Sequence, residues 1–204
     1  MKNSKRLLSS LALAVASLAT MAGAQAQSSM SGMSGSGFSM YSPGSSYVGF
    51  NVGKSDFSLG NGLGVFPSDQ KDTVYNIYGG SYFHPNFGLE LGYTDFGKAK
   101  RGGGDTKAMG FNLSLVGKYP LTNSFNLLGK VGTTYGRTEV SSVPGSGIAN
   151  GKETGFGLSY GIGAEYAFNP QLSAVLQYDS HDLKFAGSGR DRISATTVGL
   201  RYRF

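Results

Sequence analysis

Apolar and polar residues alternate with a period of two along most of the chain, most regularly in the last strand. One face of that strand consists of Thr196, Val198, Leu200, Tyr202 and Phe204. The opposite face carries Arg201 and Arg203. Side chains of a β-strand point to alternate sides, so this period predicts a strand with one apolar and one cationic face. The apolar face needs an apolar neighbour, and the cationic face needs water or carboxylates.

Seven earlier stretches repeat this alternation and bring the predicted number of strands to eight. They start at Tyr47, Tyr75, Phe87, Met109, Phe125, Phe156 and Leu172. Most are close to the roughly 9 to 11 residues that a tilted strand needs to cross a bilayer. No apolar period of 3.6 residues occurs after residue 26. The pattern therefore predicts an all-β fold.

The connections between the predicted strands alternate between short and long. The short ones are residues 84–86, 120–124 and 168–171, and the long ones are residues 56–71, 97–105, 140–152 and 184–191. Short turns at one end and longer loops at the other are typical of membrane barrels. All six prolines fall in the first 46 residues, in loops or in turns, which suits a closed barrel because proline cannot donate to a strand ladder. We therefore predict an eight-stranded antiparallel up-and-down transmembrane β-barrel.

Aromatic residues flank the predicted turns, and small residues occupy the face opposite the apolar one. One aromatic belt comprises Phe83, Phe87, Tyr119, Phe125, Tyr166, Phe168 and Phe204, and a second comprises Tyr75, Tyr93, Tyr135, Phe156 and Tyr178. Such belts mark the two membrane interfaces. A soluble β-sandwich would present a charged face to water, but only 15% of this chain is charged. Gly, Ser, Thr and Asn fit the crowded interior of a narrow barrel, so the barrel is preferred.

The first 46 residues differ in composition from the rest of the chain. A basic start, an apolar run over residues 7–20 and A-x-A sites predict a secretory signal peptide over residues 1–26, cleaved after Ala24 or Ala26. The run is too short for a membrane-spanning helix, which needs about 20 residues. Residues 27–46 predict a Ser/Gly/Met-rich flexible leader, and residues 47–204 form the barrel domain. Without the signal peptide the net charge falls from +6 to +3, so no nucleic acid partner is expected.

With its terminal aromatic residue, the last strand resembles the C-terminal strand of bacterial outer-membrane β-barrels. Residues 47–204 are most similar to the OmpA-like transmembrane domain and to small OmpX-type eight-stranded barrels. The resemblance implies a location in the cell outer membrane, in contact with its lipid. We expect a monomer. It also implies that Leu200, Tyr202 and Phe204 form a signal read by the barrel-insertion machinery. It covers the barrel alone, so anchoring to the cell wall is not implied.

Charged residues gather on the predicted inward face, near the end with the short turns. They are Glu90, Lys118, Lys130, Glu165, Arg201 and Arg203. Eight strands enclose a space that side chains can just fill, and an unpaired buried charge costs several kcal/mol. We therefore expect Glu90 and Glu165 to accept from these cations and to seal the lumen, in a network similar to the charged interior of OmpA-type barrels. A solvated, unspecific lumen is the alternative.

These features favour an integral outer-membrane protein of structural or surface-interaction type. A small-solute pore is the alternative, although open porins use about 16 to 18 strands. A lipid A-modifying enzyme is a third class, but its His-x-Ser pattern is missing because Leu183 stands two residues after His181. The chain has no Cys and two His, and we predict no catalytic residue, cofactor or metal site. His181 is the only plausible base.

Two of the long connections are rich in cations. Their cations are Lys98, Lys100, Arg101 and Lys107 in one and Lys184, Arg190 and Arg192 in the other. Loops at the cell surface lie beside the phosphates of lipopolysaccharide, which cationic groups bind. Lipopolysaccharide is therefore an expected partner, and ordinary solvated loop charge is the alternative.

Overall fold

The computed structural model describes the chain from residue 46 onward in five segments. They are residues 46–59, 71–101, 104–142, 150–186 and 189–204, and the side chains of Arg101 and Ser142 lie outside the description. The signal peptide and all but the last residue of the leader lie outside the described residues. Both segments therefore stay predictions.

Eight β-strands make up the described part of the chain. They are β1 (Ser46–Phe57), β2 (Lys71–His84), β3 (Phe87–Arg101), β4 (Gly104–Pro120), β5 (Phe125–Ser142), β6 (Gly151–Ala167), β7 (Leu172–Phe185) and β8 (Gly189–Arg203). Each strand pairs antiparallel with the next, and β1 also pairs with β8, which closes the barrel. The predicted all-β, eight-stranded antiparallel up-and-down barrel is confirmed. Within the described segments, no helix is long and apolar enough to cross a membrane.

Side chains close the short turns at one end of the barrel, which we call the inner end. The amide oxygen of Asn169 accepts hydrogen bonds from the backbone N–H groups of Gln171 and Leu172 at 2.9 and 2.8 Å. The hydroxyl oxygen of Thr122 accepts one from the N–H of Phe125 at 3.0 Å. Asn and Thr suit such turns because their side chains replace backbone hydrogen bonds. The turns thereby fix the register of the hairpins.

The strands are longer than the alternation predicted, and they take up parts of the long connections at the opposite, outer end. β3 continues to Arg101 and β4 starts at Gly104, so most of the predicted loop 97–105 is strand. A bulge between Asp95 and Gly97 lets β3 continue, with Gly97 at a φ of 78°, a left-handed conformation that suits glycine. Pro120, predicted in a turn, is the last residue of β4. The predicted loop bounds were wrong because the prediction ended each strand where the outward face ceased to be apolar.

A band of exposed apolar side chains surrounds the middle of the barrel. It includes Phe50, Leu91, Phe111, Val131, Ile162, Leu176 and Leu200. Farther toward the outer end, the exposed positions of the same strands become charged, as at Lys54 in β1 and Lys98 in β3. An apolar band of this kind faces lipid. The change to charged residues marks the level at which the strands leave the membrane.

Most of the buried side chains inside the outer end are apolar. They form one buried cluster, the outer plug, which comprises Phe57, Leu59, Val74, Phe96, Ala99, Ala108, Val140, Leu183, Phe185, Ala186, Ile193 and Ala195. The expectation of a small, polar interior was therefore wrong at this end. Here the strands project beyond the bilayer, so their outer face meets water and their inner face becomes the hydrophobic core.

β6 and β7 separate at the outer end. Their ladder stops at the pair Ser159 and His181, whereas the β5–β6 ladder continues to Gly151. Residues 182–186, which we call the β7 strap, instead lie against the inside of β5 and β6. The hydroxyl of Thr138 in β5 donates to the carbonyl of Lys184 at 2.5 Å. The strap thus carries Leu183, Phe185 and Ala186 of the outer plug across the lumen.

Glycines of β6 make this close approach possible. A β-carbon at Gly157 would overlap the carbonyl oxygen of Asp182, and one at Gly151 would lie 3.0 Å from the β-carbon of Ala186. Both are tighter than ordinary van der Waals contact. Any larger residue at Gly157 would therefore push the strap away from β6.

Candidate functional site

Five of the six predicted lumen charges meet inside the inner end of the barrel. Lys130 Nζ lies 2.6 Å from Glu90 Oε1, and a guanidinium nitrogen of Arg203 lies 2.6 Å from Glu165 Oε1. Arg201 lies between the two acids, 3.5 Å from Glu90 and 3.6 Å from Glu165. We call these five residues the charged layer. Barrel closure brings together partners that are 38 to 40 positions apart in the sequence.

Aromatic rings surround the side chain of Arg201, which is fully buried. Its guanidinium carbon lies 4.2 Å from the ring centre of Tyr47 and 5.3 Å from that of Tyr78. The hydroxyl of Tyr47 donates to Glu90 at 2.9 Å, and the rings of Tyr47 and Tyr82 pack 5.4 Å apart. Cation–π contacts offset part of the cost of burying the guanidinium. Sequence reasoning missed these tyrosines, although their inward positions were the available signal.

Lys118 is the sixth predicted lumen charge, and the structure does not bring it into the ion pairs. Its ammonium nitrogen lies 4.6 Å from the ring centre of Tyr82. Of the described carboxylates, none lies within ion-pair distance of it, and Glu90 and Glu165 pair with other cations. Lys118 therefore contributes a cation–π contact beside the charged layer.

A row of hydrogen-bonded polar side chains, the polar row, crosses the lumen. Asn76 and Asn112 both donate to Thr94 Oγ1 at 2.7 Å. The hydroxyl of Thr134 donates to Asn112 Oδ1 at 2.9 Å and lies 2.8 Å from Nδ1 of His181. Sequence reasoning missed this row too. Inward Asn and Thr at matching positions of neighbouring strands were the signal, because directly opposite side chains interact.

The lumen has three parts in a fixed order from the inner to the outer end. In β3 the sequence passes from Glu90 through Thr94 to Phe96, which belong to the charged layer, the polar row and the outer plug in turn. In β5 it passes from Lys130 through Thr134 to Val140. The polar row therefore separates the charged layer from the outer plug.

A small polar cavity lies between the charged layer and the polar row. Its volume is about 20 Å³, which is enough for about one water molecule. Its lining includes Glu90, Lys130, Ser159, Asp179 and His181. The hydroxyl of Ser159 is buried there and makes no hydrogen bond to any described residue. The cavity is thus a polar chamber inside the barrel.

The two histidines lie far apart, one inside the barrel and one at a turn. His181 lies inside the barrel, whereas its chain neighbours Ser180 and Asp182 belong to the other face of the strand. Asp182 pairs with Arg192 at 3.4 Å. His84 is the exposed last residue of β2, at a turn. No group of three or more His, Asp or Glu in the described segments is placed to hold a metal ion.

Cations that the sequence placed in loops lie on strands, and those whose side chains are described are exposed. Lys98 stands directly opposite Lys107 in the β3–β4 ladder, and Lys184 stands opposite Arg190 in the β7–β8 ladder. Like charges directly opposite each other are destabilising. The ion pairs of the outer end, within the described segments, involve other cations.

Glu139 lies opposite Lys107 in the β4–β5 ladder, outside the membrane-facing band. It pairs with Arg137 at 2.9 Å and with Lys152 at 3.2 Å. Hydrogen bonds from Lys152 and Arg137 lower the pKa of the Glu139 carboxyl. Both of these cations compete with Lys107 for the only acid opposite it.

The residues assigned to the insertion signal lie on the lipid-facing side of β8. Leu200, Tyr202 and Phe204 are all exposed. The rings of Tyr202 and Phe204 lie 5.9 Å apart, and the N–H of Phe204 donates to the carbonyl of Ser46 at 3.1 Å. Their role in insertion stays a prediction.

Comparison with known proteins places this barrel among outer-membrane proteins. A family profile, the outer membrane protein β-barrel domain, matches residues 10–204. The chain is 28% identical to outer membrane protein A of Salmonella typhi, over 68% of this chain and 42% of that protein. It is 33% identical to outer membrane protein P5 of Haemophilus influenzae, over 65% of this chain and 44% of that protein. The chain thus spans less than half the length of these relatives.

A solved structure shows the same fold. Neisserial surface protein A aligns with 78% of this chain and 97% of its own, with a TM-score of 0.59 and 18% identity. At this identity the likeness concerns the fold alone.

Proposed function

Because the chain belongs to the outer membrane protein β-barrel family, we propose that it is an outer-membrane scaffold with a sealed lumen and a functional outer surface. The relatives that it matches are outer membrane proteins. The observation that carries the sealed lumen is the charged layer, in which Glu90 and Glu165 each have a cation at 2.6 Å.

The geometry of the charged layer favours a sealed lumen over a small-solute pore. Arg201 and Glu165 are both fully buried, and an ion that passed them would have to displace paired charges from their partners. Breaking a buried pair costs about 3–5 kcal/mol. Barrels with open lumens also use about 16 to 18 strands rather than eight. Both arguments support a structural or surface-interaction role.

Single-channel conductance of the refolded mature protein in a planar bilayer tests this proposal. We expect a barrel that inserts, shows the folded gel mobility and carries no steady current. Steady openings that tolerate voltage would contradict the sealed lumen and would favour the small-solute pore.

Lipopolysaccharide is the partner that we propose for the exposed cations of β3 and β4. Tyr93 belongs to the second aromatic belt, toward the outer end, and its ring lies 5.2 Å from that of Phe111, the residue directly opposite it. Lys107 lies four residues beyond Phe111, which is about 13 Å along the strand. Lys98 stands beside it. Phosphates just above the lipid would relieve the repulsion between the two ammonium groups.

Binding of lipopolysaccharide to the double variant Lys98→Gln/Lys107→Gln tests this contact. We expect fewer lipopolysaccharide molecules to remain bound in native mass spectrometry than with the wild type. Lys54→Gln is the control, because it removes one exposed cation from β1 on a different part of the barrel. Unchanged binding in the double variant, or equal binding of dephosphorylated lipopolysaccharide to the wild type, would contradict a phosphate contact.

The proposal also covers catalysis, oligomeric state and membrane insertion. We assign no catalytic activity, because Ser180 and Asp182 are on the other face from His181. We also propose a monomer, since the barrel closes within one chain. The insertion machinery is the proposed partner of Leu200, Tyr202 and Phe204.

A further inference from the structure

The outer plug fills the lumen at a different level from the charged layer. Seven of the eight strands contribute to it, β6 being the exception. In place of β6, the β7 strap supplies Leu183 and Phe185, which are 1% and 2% exposed. The plug shares no residue with the charged layer or the polar row. Its closure therefore does not depend on ion pairing.

The chemistry of the outer plug differs from that of the charged layer. Its side chains are Phe, Leu, Ile, Val and Ala, and the buried hydroxyls of Ser55 and Thr138 at this level donate to backbone carbonyls. A hydrophobic constriction blocks ions by excluding water, without any charge. The polar chamber below it, by contrast, offers Asp179, Lys130 and the free hydroxyl of Ser159 to water.

The β7 strap is paired along one edge only, because its ladder with β8 continues to Phe185. Its neighbours β5 and β6 stay paired to Gly151, but no β6–β7 ladder pair extends past His181 in the described segments. On the side of β5 and β6, the strap is held by the Thr138 hydroxyl at the Lys184 carbonyl and by the apolar contacts of Leu183. A strand edge without a ladder is held by fewer backbone hydrogen bonds than a paired edge, and such an edge opens more easily.

We propose that the β7 strap and the outer plug form a second seal, in series with the charged layer and independent of it. The two seals enclose the polar chamber, which stays closed from the outer side when the ion pairs are removed. This inference rests on the proposed sealed lumen and assigns the site that closes its outer end.

A cysteine in the chamber reports on the outer seal. The chain has no Cys, so Ser159→Cys introduces a single thiol with little change in shape. The strap variant adds Leu183→Ser and Phe185→Ser to it. A small methanethiosulfonate reagent is applied to both folded proteins in detergent, and labelling is followed by intact mass.

We expect the strap variant to label at least about tenfold faster, because labelling of a buried thiol follows the population of the open state. The control adds Leu176→Ser and Tyr178→Ser instead, which removes two side chains from the lipid face of the same strand. It should label like Ser159→Cys alone. A folded strap variant that labels at the rate of Ser159→Cys alone would overturn the inference.

Conductance gives a second test that does not depend on the strap variant folding. Glu90→Gln with Lys130→Met neutralises both partners of one ion pair while keeping their shape, which is tolerated better than removing one partner. We expect this variant to remain silent in a planar bilayer, because the outer plug is intact. Steady current from it, with a silent wild type, would overturn the second seal and leave the proposed function standing. Current from the wild type itself would overturn both.

Discussion

Glu165→Gln tests the charged layer most directly, because the substitution keeps the shape of the side chain and removes its charge. The carboxylate of Glu165 is fully buried and accepts hydrogen bonds from Arg203 and Ser173, both at 2.6 Å. Arg201 lies 3.6 Å from the same oxygen. In the variant, both arginines would lie beside a neutral amide.

We expect Glu165→Gln to lower the free energy of unfolding by about 3–5 kcal/mol, the cost of removing one partner of a buried ion pair. The lower part of that range applies, because 16% of the Arg203 side chain is exposed and water can solvate part of its charge. Urea unfolding in detergent micelles, followed by circular dichroism, measures the change as a shift of the midpoint at unchanged slope.

Glu139→Gln is the matched control for this experiment. Glu139 also pairs with two cations, at 2.9 and 3.2 Å, but it does so at the surface. Exposed ion pairs contribute little because water screens them, so its midpoint should equal that of the wild type. A wild-type midpoint for Glu165→Gln, or for Glu90→Gln combined with Glu165→Gln, would refute the buried pairing.

Three further predictions concern the strands and the outer surface. Gly132→Val should prevent refolding, because a β-carbon at Gly132 would overlap the carbonyl oxygen of Leu113. Gly129→Val on the same strand should refold normally, because nothing lies within 4 Å of a β-carbon there. The folded fraction on unheated gels measures both variants, and equal fractions would contradict the packing. Phe204→Ala should slow assembly in cells but not refolding in detergent, because the hydrogen bond from Phe204 to Ser46 is made by the backbone. The control is Phe168→Ala, which removes an exposed aromatic side chain outside the last strand. Equal rates of assembly for the two variants would contradict the role of Phe204 in insertion. Lys152→Gln should raise the lowered pKa of Glu139, which an NMR titration measures. The ion pair is complete above the ordinary carboxyl pKa and is lost as the pH falls through the lowered pKa. An unchanged titration curve in the variant would contradict the ion pair.

The alternation of apolar and polar positions was sufficient to predict the barrel. A period of two fixes which residues share a face, as with Leu200 and Tyr202 against Arg201 and Arg203. It also indicated which charged residues point into the lumen, because the face opposite the lipid-facing side of a strand points to the interior. These are local properties of a strand, so neighbours in the sequence carry the information.

The same pattern failed where the environment of the strand changes. In β1 the exposed residues pass from Val52 to Lys54, while the buried face reaches the apolar Phe57, and the prediction ended the strand where the outward face ceased to be apolar. The alternation of buried and exposed positions continues through this point. The outward face becomes charged and the inward face becomes apolar, because water replaces lipid outside the barrel. Reading that reversal requires knowing where the membrane ends.

Only the tertiary structure decided which charges pair and how the outer end closes. The sequence listed two acids and four cations as equivalent partners, but register places Lys130 at Glu90 and Arg203 at Glu165 and leaves Lys118 over a tyrosine ring. The β7 strap likewise crosses the lumen because its backbone leaves the β6 ladder. Both results depend on contacts between residues that are far apart in the chain, and their positions are set by barrel closure rather than by any local preference.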